Sequence, residues 1–177
     1  MITYEFAVLI GAVLFIAYIV YALILKRSLK RVLVGSVFIV YLTGVAIVTL
    51  FPIVYDDAVV YTDTIEWYNF IPFKTISSAF QNGITVTAVT QVMGNIALSV
   101  PFGVMVPILF KIPEWWKKLF LALSFSVTIE LAQLLIGIAI GNMYRNIDVD
   151  DMILNVLGAY VGYVIYAVIP RKIKQMS

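Results

Sequence analysis

Four carboxylates and one guanidinium crowd into the second half of an otherwise apolar chain: Glu130, Arg145, Asp148, Asp150 and Asp151. Glu130 lies deep in an apolar stretch, 13 residues beyond Lys117, which is about 20 Å along a helix axis. An ionisable group at that depth is costly and marks a functional site by default. A buried carboxyl can act as general acid or base. Asp148 and Asp151 carry hard oxygens of the kind that hold a divalent cation with water. Arg145 offers a planar fork suited to carboxylate or phosphate, and Lys74 is the other cation on the same side of the chain. The chain has no His and no Cys. Ser–His and Cys–His nucleophile pairs, thiolate chemistry, disulfides and Cys-ligated metals are therefore excluded. No cofactor is identified by these residue types, and which metal, if any, would bind is left open.

Amides and small residues share faces with the carboxylates. Ser126, Glu130, Gln133 and Gly137 fall at i, i+4, i+7 and i+11, one side of a helix. Asp148, Asp151, Asn155, Gly158 and Gly162 form a second stripe, and Gln91, Asn95 and Ser99 a third. Each group also has a plainer use. Glu130 could be a structural carboxyl, protonated or paired with Arg145 or Lys74. Arg145 could hold its loop by a salt bridge to an Asp. Asp148 or Asp150 could be a helix N-cap, and Asp150 is expected to be exposed. Asn95 and Asn155 could be hydrogen-bonding links between helices, and the glycines packing contacts. Together the stripes describe a polar chamber at one end of a helix bundle.

The elements that position them follow from composition. Of 177 residues 63% are hydrophobic and 12% charged, with a mean hydropathy of +1.02. A soluble domain carries roughly a quarter charged residues. Five runs have the length of a spanning helix: about 4–25, 32–51, 92–110, 119–140 and 152–169. The third could begin near Ile84, and Pro101 is expected to kink it. The reading is an all-α integral membrane protein, one domain over 1–177, with no repeat. The first run is taken as a retained helix rather than a signal peptide, because its basic cluster follows it.

Ten of the twelve Lys and Arg fall between runs one and two, between three and four, or after five. The opposite side has Lys74 and Arg145, with Asp56, Asp57, Asp63, Glu66 and the Asp148–Asp151 group. The positive-inside rule then puts the N-terminus outside and the C-terminus in the cytoplasm. Trp115 and Trp116 are interfacial belt residues. The connection Tyr55–Gly83, with Trp67, Tyr68, Phe70, Phe73 and Phe80, is expected to lie in the outer interface or re-enter the bundle. Its Asn69-Phe-Ile-Pro-Phe73 stretch has the look of an element docked onto helices.

An ordered set of motifs resembles the VanZ-like membrane proteins. It comprises Leu50-Phe-Pro52, Asn69-Phe-Ile-Pro-Phe73, Gly94-Asn-Ile-Ala-Leu-Ser-Val-Pro-Phe-Gly103, Ser126-Val-Thr-Ile-Glu-Leu-Ala-Gln133 and Arg145-Asn-Ile-Asp-Val-Asp-Asp151 with Asn155 and Gly158. The set covers about residues 45 to 165, and Ser99 departs mildly from the family pattern. The resemblance implies a multi-pass protein of the bacterial plasma membrane, and the family's namesake is linked to teicoplanin resistance. It carries over Asn69, Asn95, Glu130, Gln133, Arg145, Asp148, Asp151 and Asn155 as site members.

The leading expectation is a protein that lowers glycopeptide action at the cell surface through an outward-facing polar chamber. Its partners would be membrane lipids and a lipid-linked wall precursor or the lipid-anchored drug; no nucleic acid is expected. Teicoplanin carries an acyl chain and vancomycin does not. A second reading is an intramembrane enzyme acting on a lipid or lipid-linked phosphate. There Glu130, Arg145, Asp148 and Asp151 are catalytic, and Asn69, Lys74, Asn95, Gln133 and Asn155 bind substrate. A small lipid or anion transporter ranks third. Oligomeric state is left open.

Overall fold

A computed structural model describes residues 1–53, 68–81, 83, 85–141 and 144–169. Expectations for Asp56, Asp57, Asp63, Glu66, Trp67 and the cations Arg171, Lys172 and Lys174 lie outside the described residues, as does the C-terminal end of the 1–177 domain reading.

Five helices are long and apolar enough to cross a membrane: α1 (Glu5–Ile24), α2 (Leu29–Leu50), α4 (Val86–Phe110), α5 (Trp115–Ile140) and α6 (Val149–Val168). A short helix, α3 (Lys74–Gln81), lies between α2 and α4. The chain is thus an all-α multi-pass membrane protein, and most of its large apolar side chains face outward. Such exposure suits lipid, which gives those side chains no reason to hide.

Helix α4 starts six residues before the Val92 marked by hydropathy. Thr85 caps it, its hydroxyl accepting the Ala88 N–H at 3.1 Å. These early turns carry Thr87, Thr90 and Gln91, and both α3 and α6 pack against α4. The helix runs unbroken through Pro101 and Pro107 to a left-handed cap at Lys111.

The centre of the bundle is the α4–α6 seam. Cβ atoms built at Gly158 and Gly162 would strike the carbonyls of Ile96 and Val100, and one at Gly103 would strike that of Ala159. The two backbones touch because these positions lack side chains, the small-residue packing that drives helix association in lipid. Phe102, Val106, Ala122, Ala159 and Tyr163 form the buried core beside this seam. The rings of Phe102 and Phe125 stack at 4.2 Å between centroids. Tyr163 donates to the Lys118 carbonyl at 2.9 Å, tying α6 to α5. Helix α1 packs on α2, with Gly11 against Thr43 and Gly35 against Tyr18.

Two very short strands organise one end. Tyr68–Asn69 (β1) pairs in parallel with Ile147–Asp148 (β2), placing Asn69 opposite Asp148. Residues 68–81 are thereby docked onto the start of α6, between α2 and α4 in the chain.

Candidate functional site

The site is built on the N-terminal turn of α6. Asp148 is its N-cap: the carboxylate accepts the Asp150 N–H at 2.8 Å. The same oxygen accepts from the Asn69 side chain at 2.8 Å, a contact set up by the strand pairing. Asn69 also donates to Thr75 at 3.1 Å and accepts the Ile71 N–H at 3.0 Å, which shapes the turn into α3.

Asp150 overturns one expectation. It is not exposed but fully buried, at 0% accessibility. Its carboxylate accepts the N–H groups of Phe73 and Ile76. Those donors belong to the free amino end of α3, where the helix dipole also favours a negative charge. Charge alone pointed Asp150 to water; a helix end some 70 positions earlier replaces that water. Phe73 sits in the left-handed region, at φ 65°, to present its N–H this way.

Glu130, only 3% exposed, reaches the same turn from α5 and accepts the Asp148 N–H at 3.2 Å. Ser126, four residues before it, donates to the Met152 carbonyl at 3.2 Å. Across the other side of α6, Asn95 of α4 donates to the half-buried Asp151. One turn further in, Ser99 donates to Asn155 at 2.9 Å, both buried. The stripes on α4 and α6 therefore meet rung by rung, Asn95 with Asp151 and Ser99 with Asn155, above the glycine contact. Glu130, Asp148, Asp150 and Asp151 thus converge on one turn of α6.

Gln133 and Arg145 stand elsewhere. Gln133 donates to the Thr49 carbonyl at 2.9 Å and Arg145 to those of Val48 and Phe51, at 3.4 and 3.2 Å. Tyr144 donates to the Leu50 carbonyl at 3.2 Å. These are the four carbonyls that the end of α2 leaves without intrahelical partners. Among the described residues, the hydrogen-bond partners of Arg145 are these helix-end carbonyls. Burial pushes the Tyr144 phenol up, and the neighbouring guanidinium pulls it partly back.

Lys74 opens α3 and is exposed. A crevice of about 10 Å³, room for a single water, lies between α3, α4 and α6, lined by Thr75, Gln91, Asp150 and Asp151 among others. Among the described residues, no three Asp or Glu side chains converge as a metal-holding group. Sequence reasoning missed Thr75, Tyr144 and the backbone donors of Phe73 and Ile76. Only the Asn-to-Phe turn motif, with Thr75 just beyond it, hinted at them.

The arrangement gathers carboxylate acceptors on one helix turn, a setting suited to a cationic or amide-rich ligand. Residues 38–170 match the family model described as VanZ/LLP1. No protein of curated function and no solved structure matches the chain.

Proposed function

The chain belongs to the VanZ/LLP1 family, and from that premise we propose that it works in the bacterial plasma membrane to lower glycopeptide action, teicoplanin above all, at the cell surface. In this reading the acidic end faces outward, consistent with the ten cations on the other side. One observation carries it: buried Glu130, well inside α5, meets the Asp148–Asp151 turn beneath the docked 68–81 segment. Ionisable groups at such depth are retained for ligands or protons.

Glu130 and Asp151 are the reactive or charge-pairing groups of this reading. Asn69, Asn95, Asn155 and Lys74 are binding groups around them. Asp148 holds the turn, while Gln133 and Arg145 hold the end of α2 beside it. A ligand anchored in the outer leaflet by an acyl chain reaches this depth; a drug without one does not. The test is expression in a susceptible Gram-positive host with matched membrane levels. Protection against teicoplanin without protection against vancomycin is expected. Equal protection against both removes the membrane-depth argument. No protection against either leaves the intramembrane enzyme, acting on a lipid-linked phosphate, as the better reading.

A further inference from the structure

At the opposite, basic end a groove of about 520 Å³ opens between α1, α2 and α4. Its rim carries Arg27, Arg31 and Lys111, and among the described residues no Asp or Glu lines it. Below the cations its wall is apolar, formed by Phe38, Ile39, Leu109 and Phe110.

The rim is held in place by the fold. The Tyr18 phenol donates to the Arg31 carbonyl at 2.9 Å, fixing the start of α2 against α1. The Tyr18 ring lies where a Cβ on Gly35 would be, so the glycine makes the room that lets the ring floor the groove. Lys111 takes a left-handed conformation, φ 51°, and closes α4 with its N–H on the Pro107 carbonyl at 3.0 Å.

We propose that this groove binds one anionic glycerophospholipid, its phosphodiester on Arg27, Arg31 and Lys111 and one acyl chain along Phe38, Ile39, Leu109 and Phe110. Charge complementarity selects the anion. The apolar wall selects the lipid, because a soluble phosphate would leave that wall bare. Tyr18 and Tyr21 line the groove from the last two turns of α1, where a spanning helix places amphipathic rings for headgroups. Basic pockets between helices are a recognised mode of headgroup binding. The site is distinct from the acidic cluster and does not depend on the role proposed for it.

General attraction of a basic loop to anionic lipid must be separated from a built site. Lys26 and Lys30 belong to the same turn but do not line the groove. The full-length protein in detergent is therefore titrated with phosphatidylglycerol and with phosphatidylcholine of equal chain length, and bound lipid is counted by native mass spectrometry. The wild type is expected to prefer phosphatidylglycerol by about a hundredfold, at about fivefold for each of the three cations. Arg27→Gln with Arg31→Gln should cut that preference to about the fivefold that Lys111 alone supplies, whereas Lys26→Gln with Lys30→Gln, an equal loss of charge, should keep most of it. Equal binding of both lipids by the wild type overturns the proposal, whether or not the variants fold. Equal losses in the two double variants overturn it as well, leaving only diffuse surface charge.

Discussion

The carboxylate of Asp150 accepts the N–H of Ile76 at 3.0 Å, joining the first turn of α6 to the first turn of α3 across 74 positions of sequence. With the Phe73 N–H on its other oxygen, Asp150 is a helix cap supplied from a distance. It thereby satisfies a helix end that would otherwise lie unpaired against the protein, and its own buried charge is satisfied in return.

Asp150→Ala should then cost about 2–4 kcal/mol, since two N–H donors lose their acceptor at once. Asp150→Asn keeps one acceptor and should cost about half as much. Thermal unfolding in detergent measures the loss, and hydrogen exchange over residues 68–81 should show that segment loosening first. An unaltered exchange pattern in Asp150→Ala would show that other contacts hold α3 in place.

The glycine seam makes a sharper contrast. Gly158→Ala and Gly162→Ala push a methyl into the α4 backbone and should each destabilise by about 1–3 kcal/mol. Gly44→Ala and Gly94→Ala meet nothing within 4 Å and should change little or add stability. Denaturation of the four variants side by side tests this. Similar values for all four contradict the close α4–α6 approach.

The two polar rungs of the seam are expected to be modest. Double-mutant cycles on Asn95 with Asp151, and on Ser99 with Asn155, should return coupling near 0.6 kcal/mol and no more than about 1.7. Asp151 retains exposure while Asn155 is buried, so the inner rung should show the larger coupling. The reverse order would mean that Asp151 and Asn95 are tuned to each other for more than packing.

Arg145 is expected to act first on stability. Its guanidinium serves two carbonyls at the negative end of the α2 dipole, so Arg145→Ala should cost about 1–2 kcal/mol. Arg145→Lys, which keeps the charge but not the fork, should fall between. A variant that unfolds like the wild type yet loses all protection against teicoplanin would place Arg145 on the ligand instead.

Hydropathy length alone made the five spans legible, and helical spacing made the stripes legible. Asn95 and Ser99 do face Asp151 and Asn155, because a lipid-facing polar stripe has no partner and two such stripes must find each other. What stayed hidden was pairing with backbone. A sequence displays the charges of Arg145 and Asp150 but not the bare carbonyls of Val48 and Phe51 or the bare N–H of Ile76. Charged side chains were therefore matched to one another, and Asp150 was assigned to water. The first turn of α4 was hidden for a related reason: its threonines lower hydropathy, and only the Thr85 cap and the packing of α3 explain why it is helical. The role proposed for the cluster rests on its depth and on the family, not on a catalytic spacing read from the sequence.

Glu130→Gln and Asp151→Asn provide the most direct test of the central claim, because both keep shape and hydrogen-bonding reach while removing the ionisable carboxyl. Each is expressed in the susceptible host at the membrane level of the wild type, with thermal stability measured on the purified protein. The account predicts that both fold and that teicoplanin susceptibility returns to that of cells carrying an empty vector. Wild-type protection by both variants would contradict it and leave the buried carboxylates as scaffolding.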